Sequence, residues 1–362
     1  MDEINVMITG IGGGGNGEQI LKALKMSTIK YTTIGCDMNK YSKGLMEVDY
    51  PYIVPSASSD NYISTLLKIC KKHQVNVLFY GSEPELKVIS RNRSQFFDNG
   101  IFLPINPQNV IDICMDKNKT MDWFSNNGFN YPKSYRIINE SDMKKIDFFP
   151  AVLKPSVGGG GSVNTFIAQT EKELKLFGNY LLEIYEEFIV QQYVGNTDSE
   201  YTVGVLCDMN GSFINSIAVK KNILSGLSSK IKIKNKTGNA KFGEILAVSS
   251  GISQGEIGRF PDVTEQCKNI ALALGATGAI NIQCRIENGK VFVFEINPRF
   301  SGTTSLRALV GYNEPDVLIR KHILNEDIKK DFEYKSGYIV RGLEEKLIDF
   351  DFLKNICEES CK

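Results

Sequence analysis

The residues best placed to do chemistry stand in the stretch 290–299, K-V-F-V-F-E-I-N-P-R. Alternate side chains of a strand share a face, so Glu295 and Asn297 point the same way before Pro298 ends the regular strand. Gln283 lies on the preceding strand, across the turn Glu287-Asn288-Gly289. Three oxygen-bearing side chains so placed make a hard-oxygen site. Mg2+ suits it, with phosphate oxygens and waters completing the octahedron. Arg299, just beyond, is in place to neutralise charge developing on a transferred phosphoryl group. The same pattern also fits a surface hairpin or a buried polar network without metal.

Two glycine clusters offer phosphate chemistry. Lys154 ends a short apolar strand at 151–154, and Gly158, Gly159, Gly160, Gly161 and Ser162 follow. Glycine lets a loop lay its N–H groups along phosphate oxygens, and a lysine at the strand end adds a point charge. No Gly-Lys-Ser/Thr closes this loop, so it is not a Walker A sequence. A flexible hairpin is the alternative. The earlier cluster, Gly10-x-Gly12-x-x-Gly15, stands between a strand and a helix, and Asp37 ends the next strand. That matches the dinucleotide fingerprint and makes an NAD-linked oxidoreductase a rival reading. A tight turn that binds no nucleotide is the other.

The elements that must position these residues follow from pattern and length. At about 150 residues per domain, 362 residues suggest two or three domains. Residues 5–9, 31–36 and 75–80 read as strands and 18–25 and 61–72 as helices, a βαβαβ pattern with a parallel sheet. A helix is expected over 111–127, closed by Gly128, and another over 172–182. Strands are expected at 201–206, 212–219, 279–285 and 290–296, with a helix at 263–274 between them. A strand at 338–340 and an acidic helix after Gly342 are expected to cover the sheet or to form a homodimer contact. Lys230, Lys232, Lys234 and Lys236 alternate, as in an edge strand guarded by lysines or a flap over an anionic site.

Composition narrows the partners. Lys plus Arg is 42 and Asp plus Glu is 42, which argues against general binding to nucleic acid or to an anionic membrane. No apolar run approaches the roughly 20 residues that span a bilayer. The acidic start Met1-Asp2-Glu3 runs straight into a strand, so no secretory signal is expected. Eight Cys without a C-x-x-C pair, and two His, make structural zinc an unlikely feature and point to inert thiols in a reducing, cytoplasmic setting. Cys357 and Cys361, four apart, could share a helix face.

Asp116-Lys117, Lys154 with its glycine loop, Gln191-Gln192-Tyr193-Val194, Glu200-Tyr201-Thr202-Val203, Gln283 and Glu295-x-Asn297-Pro298-Arg299 occur in an order that resembles the ATP-grasp superfamily. The closest likeness is to one synthetase half of the carbamoyl-phosphate synthetase large subunit, over roughly residues 4–325. The resemblance implies a mixed α/β and α+β protein: a Rossmann-like domain over 1–111, a lid over 112–190, a central subdomain over 191–330, and a C-terminal extension over 331–362 packed on the central part. It implies that Lys117 and Lys154 contact the phosphates of ATP under the loop 158–162. Gln191, Gln192 and Val194 would line the adenine, and Glu200 would take the ribose hydroxyls. Gln283, Glu295 and Asn297 would hold one or two Mg2+ or Mn2+ ions, and Arg299 would stabilise an acyl phosphate. It also implies that the first glycine cluster binds no NAD.

The sequence departs from that pattern at two places. Gln191 stands where many relatives have an acidic residue. Gly302 stands where the synthetase usually has a second arginine, for which Arg307 is a candidate substitute. For the substrate, Glu83 or Glu85, after the third strand, could receive an ammonium group. The expected function is therefore an ATP- and Mg2+-dependent ligase joining a small-molecule carboxylate to an amine through an acyl phosphate. An NAD-linked oxidoreductase and a non-catalytic ATP-binding regulator are the alternatives.

Overall fold

The computed structural model describes residues 4–158, 160–347 and 350–358. Its first body is a parallel sheet of five strands in the order Cys357–Glu358, Tyr50–Ile53, Tyr31–Asp37, Ile4–Ile8, Val77–Phe79. Strand alternation gives this sheet two apolar faces. Ile4, Val6 and Ile8 share a core with Leu21 and Leu24 of helix Asn16–Lys25. Met7, Ile34 and Leu78 face Leu66 and Ile69 of helix Tyr62–Lys72. Helices on both faces are what a parallel sheet needs to be buried. The alternation pattern alone does not predict Tyr50–Ile53, which has only four residues and carries Pro51.

A second sheet has six strands and is antiparallel throughout. Its order is Lys290–Asn297, Ala279–Glu287, Glu200–Cys207, Phe213–Lys221, Gly255–Gly258, Gly337–Ile339. Helix Pro261–Leu274 covers one face. Helices Thr304–Leu309 and Glu314–His322 lie on the other, where Leu306, Leu318 and Ile319 join the same core as Ile8 and Leu21. One continuous core therefore fastens the parallel sheet to the central one.

The third body is a four-stranded antiparallel sheet, Ser134–Ile137, Phe188–Gln192, Ala151–Pro155, Phe166–Ala168, backed by helix Glu171–Ile184. A hairpin, Ser229–Lys234 with Ile245–Ser249, packs against it through Ile231, Ile233 and Leu246. Lys230, Lys232 and Lys234 point away from that contact and are exposed. The lysine run is thus the solvent face of a strand.

The helix expected over 111–127 is two helices, Gln108–Cys114 and Lys117–Asn127. Asp116 separates them because its carboxylate caps the second, accepting from Asn118 N at 2.9 Å and Lys119 N at 3.3 Å. Gly128 ends that helix at φ 72°, a left-handed conformation that glycine adopts without penalty. Val110, Cys114, Met121 and Phe124 pack with Val203, Val205 and Ile280, so this pair belongs to the central sheet's core and not to the lid sheet. The C-terminal extension also differs from expectation: Gly337–Ile339 extends the central sheet, while Cys357–Glu358 crosses to the parallel one. Cys361 lies outside the described residues. Cys36, Cys70, Cys114, Cys207, Cys267 and Cys284 are free and buried. No described helix is long and apolar enough to cross a membrane.

Asp116→Ala removes the cap at the start of Lys117–Asn127 and is expected to cost about 1 kcal/mol of stability, read as a lower urea midpoint.

Candidate functional site

The three bodies meet around a cleft of about 830 Å³. The lid sheet contributes Val152, Lys154, Gly158, Gly161 and Ser162 to its wall, and the strand end behind them contributes Gln191, Gln192, Tyr193 and Val194. The central sheet forms the floor with Lys221, Asn281, Gln283, Arg285 and Glu295. Glu83 and Arg299 stand at the end facing the parallel sheet.

Helix caps aim two of these residues. Asp116 places Lys117 at the first position of its helix, whose N–H also bonds Ser156 O at 2.9 Å. Ser82 caps Glu83–Arg91 and places Glu83 at the first position there. In the glycine loop, Gly158 and Gly161 have φ of 74° and 66°, which favour glycine. Ser162 Oγ donates to Ser249 O at 3.1 Å and ties the loop to the hairpin. Gly160 lies in the loop, and Gly159 lies outside the described residues.

At the floor, Glu295 and Gln283 are cross-strand partners. Asn297 Nδ2 donates to Glu295 Oε1 at 3.2 Å, and Gln283 Nε2 lies 3.5 Å from the same oxygen. Asn297 is itself buried, just behind the wall. Arg299 donates to Asn297 Oδ1 at 2.9 Å and to Glu83 Oε1 at 3.1 Å. Burial pushes the Glu295 carboxyl up, but Lys117, Lys154, the Asn297 amide and Arg299 outweigh it and hold it below the usual range. Lys154 is buried, donates to Phe294 O at 3.2 Å and stands over the Phe294 ring. Burial draws its ammonium down to about 7, with Glu295 opposing and Lys117 adding to the shift.

Sequence reasoning missed two floor residues, Lys221 and Arg285. Lys221 Nζ donates to Glu200 Oε1 at 3.1 Å, Ser249 Oγ at 2.9 Å and Gln283 Oε1 at 3.2 Å. Arg285 lies 4.3 Å over the Tyr193 ring and donates to Glu200, Val194 O and Ala247 O. The available signal was a charge at the buried end of an apolar strand, as in A-V-K-K at 218–221.

Four expected site residues are placed differently. Glu200 does not reach the cleft wall. Its carboxylate accepts from Lys221, Ser249 and Arg285 Nε, and Arg285 Nη2 stands 2.9 Å from it, so the chain's own donors engage both oxygens. Burial raises this carboxyl, but Lys221 and Arg285 more than reverse that and hold it at about 2. Arg307 lies behind the floor, bound to Glu314 at 2.9 Å and Asn281 at 2.6 Å, so it does not replace an arginine at Gly302. The arginine that does meet Gly302 is Arg341, which donates to its carbonyl at 2.9 Å. Glu85 is buried, accepts from Tyr62 and Ser82, and is pushed up by burial. Asp37 accepts from Gly12 N at 2.9 Å, while Glu18 accepts from Gly14 N at 2.9 Å. The chain's own acids occupy the amides that a pyrophosphate needs, which removes the basis of the NAD reading.

Gln191 is buried on the wall, and its Nε2 has no hydrogen-bond partner among the described residues. This leaves a donor free for a ligand acceptor. The Glu295 carboxylate supplies hard oxygen that fits Mg2+, with the amides of Gln283 and Asn297 beside it. Yet no group of three or more His, Cys, Asp or Glu that could hold a metal occurs among the described residues. One carboxylate amid three cations fits an ion that arrives with a polyphosphate.

Residues 6–104 match the family model described as PylC-like, N-terminal domain. Residues 244–346 match that described as ATP-grasp in the biosynthetic pathway with Ter operon. Residues 244–346 are thus similar to an ATP-grasp domain. The chain is 26% identical over 289 residues to the carbamoyl phosphate synthase large chain of Campylobacter jejuni, covering 78% of this chain and 24% of that one. It thus spans about a quarter of that relative's length. N5-carboxyaminoimidazole synthetase from Staphylococcus aureus, complexed with ADP, matches with a TM-score of 0.65 at 14% identity, over 92% of this chain and 81% of that one. D-alanine–D-alanine ligase from Bacillus anthracis, complexed with ATP, matches with a TM-score of 0.55 at 15% identity, over 90% and 98%. At these identities the structural likeness is one of fold.

Because the Glu200 carboxyl is held below its ordinary value, its contribution to stability is full above about pH 4.5 and is lost as pH falls towards 2. Glu200→Gln leaves two buried cations unpaired and is expected to cost about 3–5 kcal/mol at pH 7. Urea unfolding is expected to show a smaller further loss between pH 5 and pH 3 in the variant than in the native protein.

Proposed function

We propose that the protein is an ATP-dependent ligase that activates a small-molecule carboxylate as an acyl phosphate and joins it to an amine. The observation that carries this reading is the gathering of Lys117, Lys154 and Arg299 about the carboxylate Glu295 in a cleft lined by a glycine loop. Lys117, Lys154 and the loop 158–162 hold the phosphates. Gln191, Gln192 and Val194 line the base. Glu295, with Gln283 and Asn297, holds the divalent ion, which when bound neutralises phosphate oxygens.

A carboxylate resists attack because it is negative and resonance-stabilised. Transfer of the γ-phosphoryl group to its oxygen makes an acyl phosphate and leaves ADP. The amine lone pair then attacks the acyl carbon, the bond to the phosphate oxygen breaks, and the nitrogen gives up a proton. Arg299 faces both charged groups and is shared with Glu83, so an incoming carboxylate competes with Glu83 for the guanidinium. The lid and hairpin exclude the water that hydrolyses an acyl phosphate.

Phosphate release from Mg-ATP, measured across a panel of carboxylic acids and amines, tests this reading. Release is expected to need a carboxylate and to fall at least about a hundredfold in Glu295→Ala. ATP binding without turnover across the panel favours the regulatory alternative, and no ATP binding overturns the reading. A second expectation concerns the ion. Calorimetric titration with Mg2+ alone gives no binding, whereas Mg2+ added to the ADP complex binds, because the protein supplies only one carboxylate there.

A further inference from the structure

A chain of buried hydrogen bonds runs along the floor from the lid-side wall to the acidic site. It starts at the carbonyls of Val194 and Ala247, which accept from Arg285 at 3.3 and 2.8 Å. Arg285 donates to Glu200 at 3.0 Å, and Glu200 accepts from Lys221 at 3.1 Å. Lys221 donates to Gln283 Oε1 at 3.2 Å, and Gln283 Nε2 faces Glu295. The Lys221 side chain is 2% exposed, and its three N–H groups all have protein acceptors. It has no proton left for a ligand.

We infer that Lys221 is a positioning residue that fixes the Gln283 carboxamide and so couples nucleotide binding to binding of the divalent ion. This rests on the ATP-dependent reading above. An ammonium only donates, so it must face the amide oxygen of Gln283. That turns the amide nitrogen towards Glu295 and fixes where Glu295 presents its remaining lone pairs. Without Lys221 the carboxamide is free to rotate and Glu295 keeps only the Asn297 amide of its two amide partners, while Arg285 still holds Val194 and Ala247. The base end of the cleft therefore survives the change and the acidic end loosens. Groups that orient ligating side chains in this way typically govern metal affinity by about 10–100-fold.

The charge arithmetic makes the variant practicable. Glu200 faces two cations, Lys221 and Arg285, so Lys221→Met leaves one buried anion with one buried cation. The test is calorimetric ADP binding in EDTA and in Mg2+, with Mn2+ binding to the ADP complex read by electron paramagnetic resonance. In Lys221→Met, ADP affinity in EDTA is expected to stay unchanged. The strengthening by Mg2+, and the Mn2+ affinity, are expected to fall by about tenfold or more. A second variant, Lys221→Gln, fills the space with an uncharged polar side chain and is expected to show the same loss. Full retention of the Mg2+ effect in both variants overturns the inference. An equal loss of ADP affinity with and without Mg2+ also overturns it, because Lys221 then touches the nucleotide. Native protein that binds no ADP in either medium overturns the ATP-dependent reading itself, and this inference with it.

Discussion

The floor of the cleft depends on Glu200, a carboxylate removed from water and surrounded by donors. Taking an ion out of water costs several kcal/mol, and only close partners offset it. Here the offset comes from an ammonium, a guanidinium and a hydroxyl, drawn from two strands of the sheet and the hairpin. Because each partner also touches the cleft wall, the cost of burying Glu200 is linked to the shape of the site. Arg285 cannot move without releasing the Val194 and Ala247 carbonyls. Lys221 cannot move without releasing Gln283. A buried network whose members are all satisfied stiffens the floor it crosses.

The relation between the bodies follows from a few contacts that cross between them. Arg299 spans the floor and the parallel-sheet body by binding Asn297 and Glu83. Arg341 lies beyond the last strand of the central sheet. It donates to Gly302 O on the cleft wall and to Gln19 on the helix after the first glycine turn. Lys43 reaches Glu344 from the other side. The chain after residue 336 therefore acts as a strap, adding a strand to each of two sheets and a half-buried arginine between them. The lid's ties to the rest include the Lys117 N–H on Ser156, the Asn118 amide on Glu187, the Lys154 bond to Phe294 O, Ile189 in the central core and the hairpin.

What could be read from the sequence was what local periodicity determines. Glu295, Asn297 and Gln283 were legible because a two-residue period and a short turn put them on one face without knowledge of any distant strand. Lys117 came only with the resemblance; periodicity ran one helix across residues 111–127, because an N-cap aspartate interrupts the helix without disturbing its apolar spacing. Glu200, Lys221 and Arg285 were not legible as a unit. The strand order brings them together across separations of 21 and 85 residues, and no local pattern encodes that order. Asp37 misled for a physical reason. A glycine turn after a first strand leaves amides that need an acceptor, and an acid ending the next strand supplies one whether or not a nucleotide is bound. Arg307 misled similarly: a charge in a Ser/Thr-rich helix looks available until Glu314, seven residues on, folds back over it.

The charge distribution in the cleft gives the site its direction. Lys117, Lys154 and Arg299 outnumber Glu295, and Glu83 lies on the far side of Arg299. Like charges held together in a partly dry cleft repel; burial is the main reason the Lys154 ammonium is depressed, with Glu295 opposing and Lys117 adding to the shift. Such a cluster is costly in the free protein, and two things can relieve it: loss of a proton or arrival of an anion. A polyphosphate does the second without rearranging the protein, since the lysines and the loop glycines already face the space it enters. A carboxylate alone brings one charge, too few to match three cations. The electrostatics therefore favour an order in which the polyanion enters first and the carboxylate is drawn to the Arg299 end, where Glu83 otherwise holds the guanidinium.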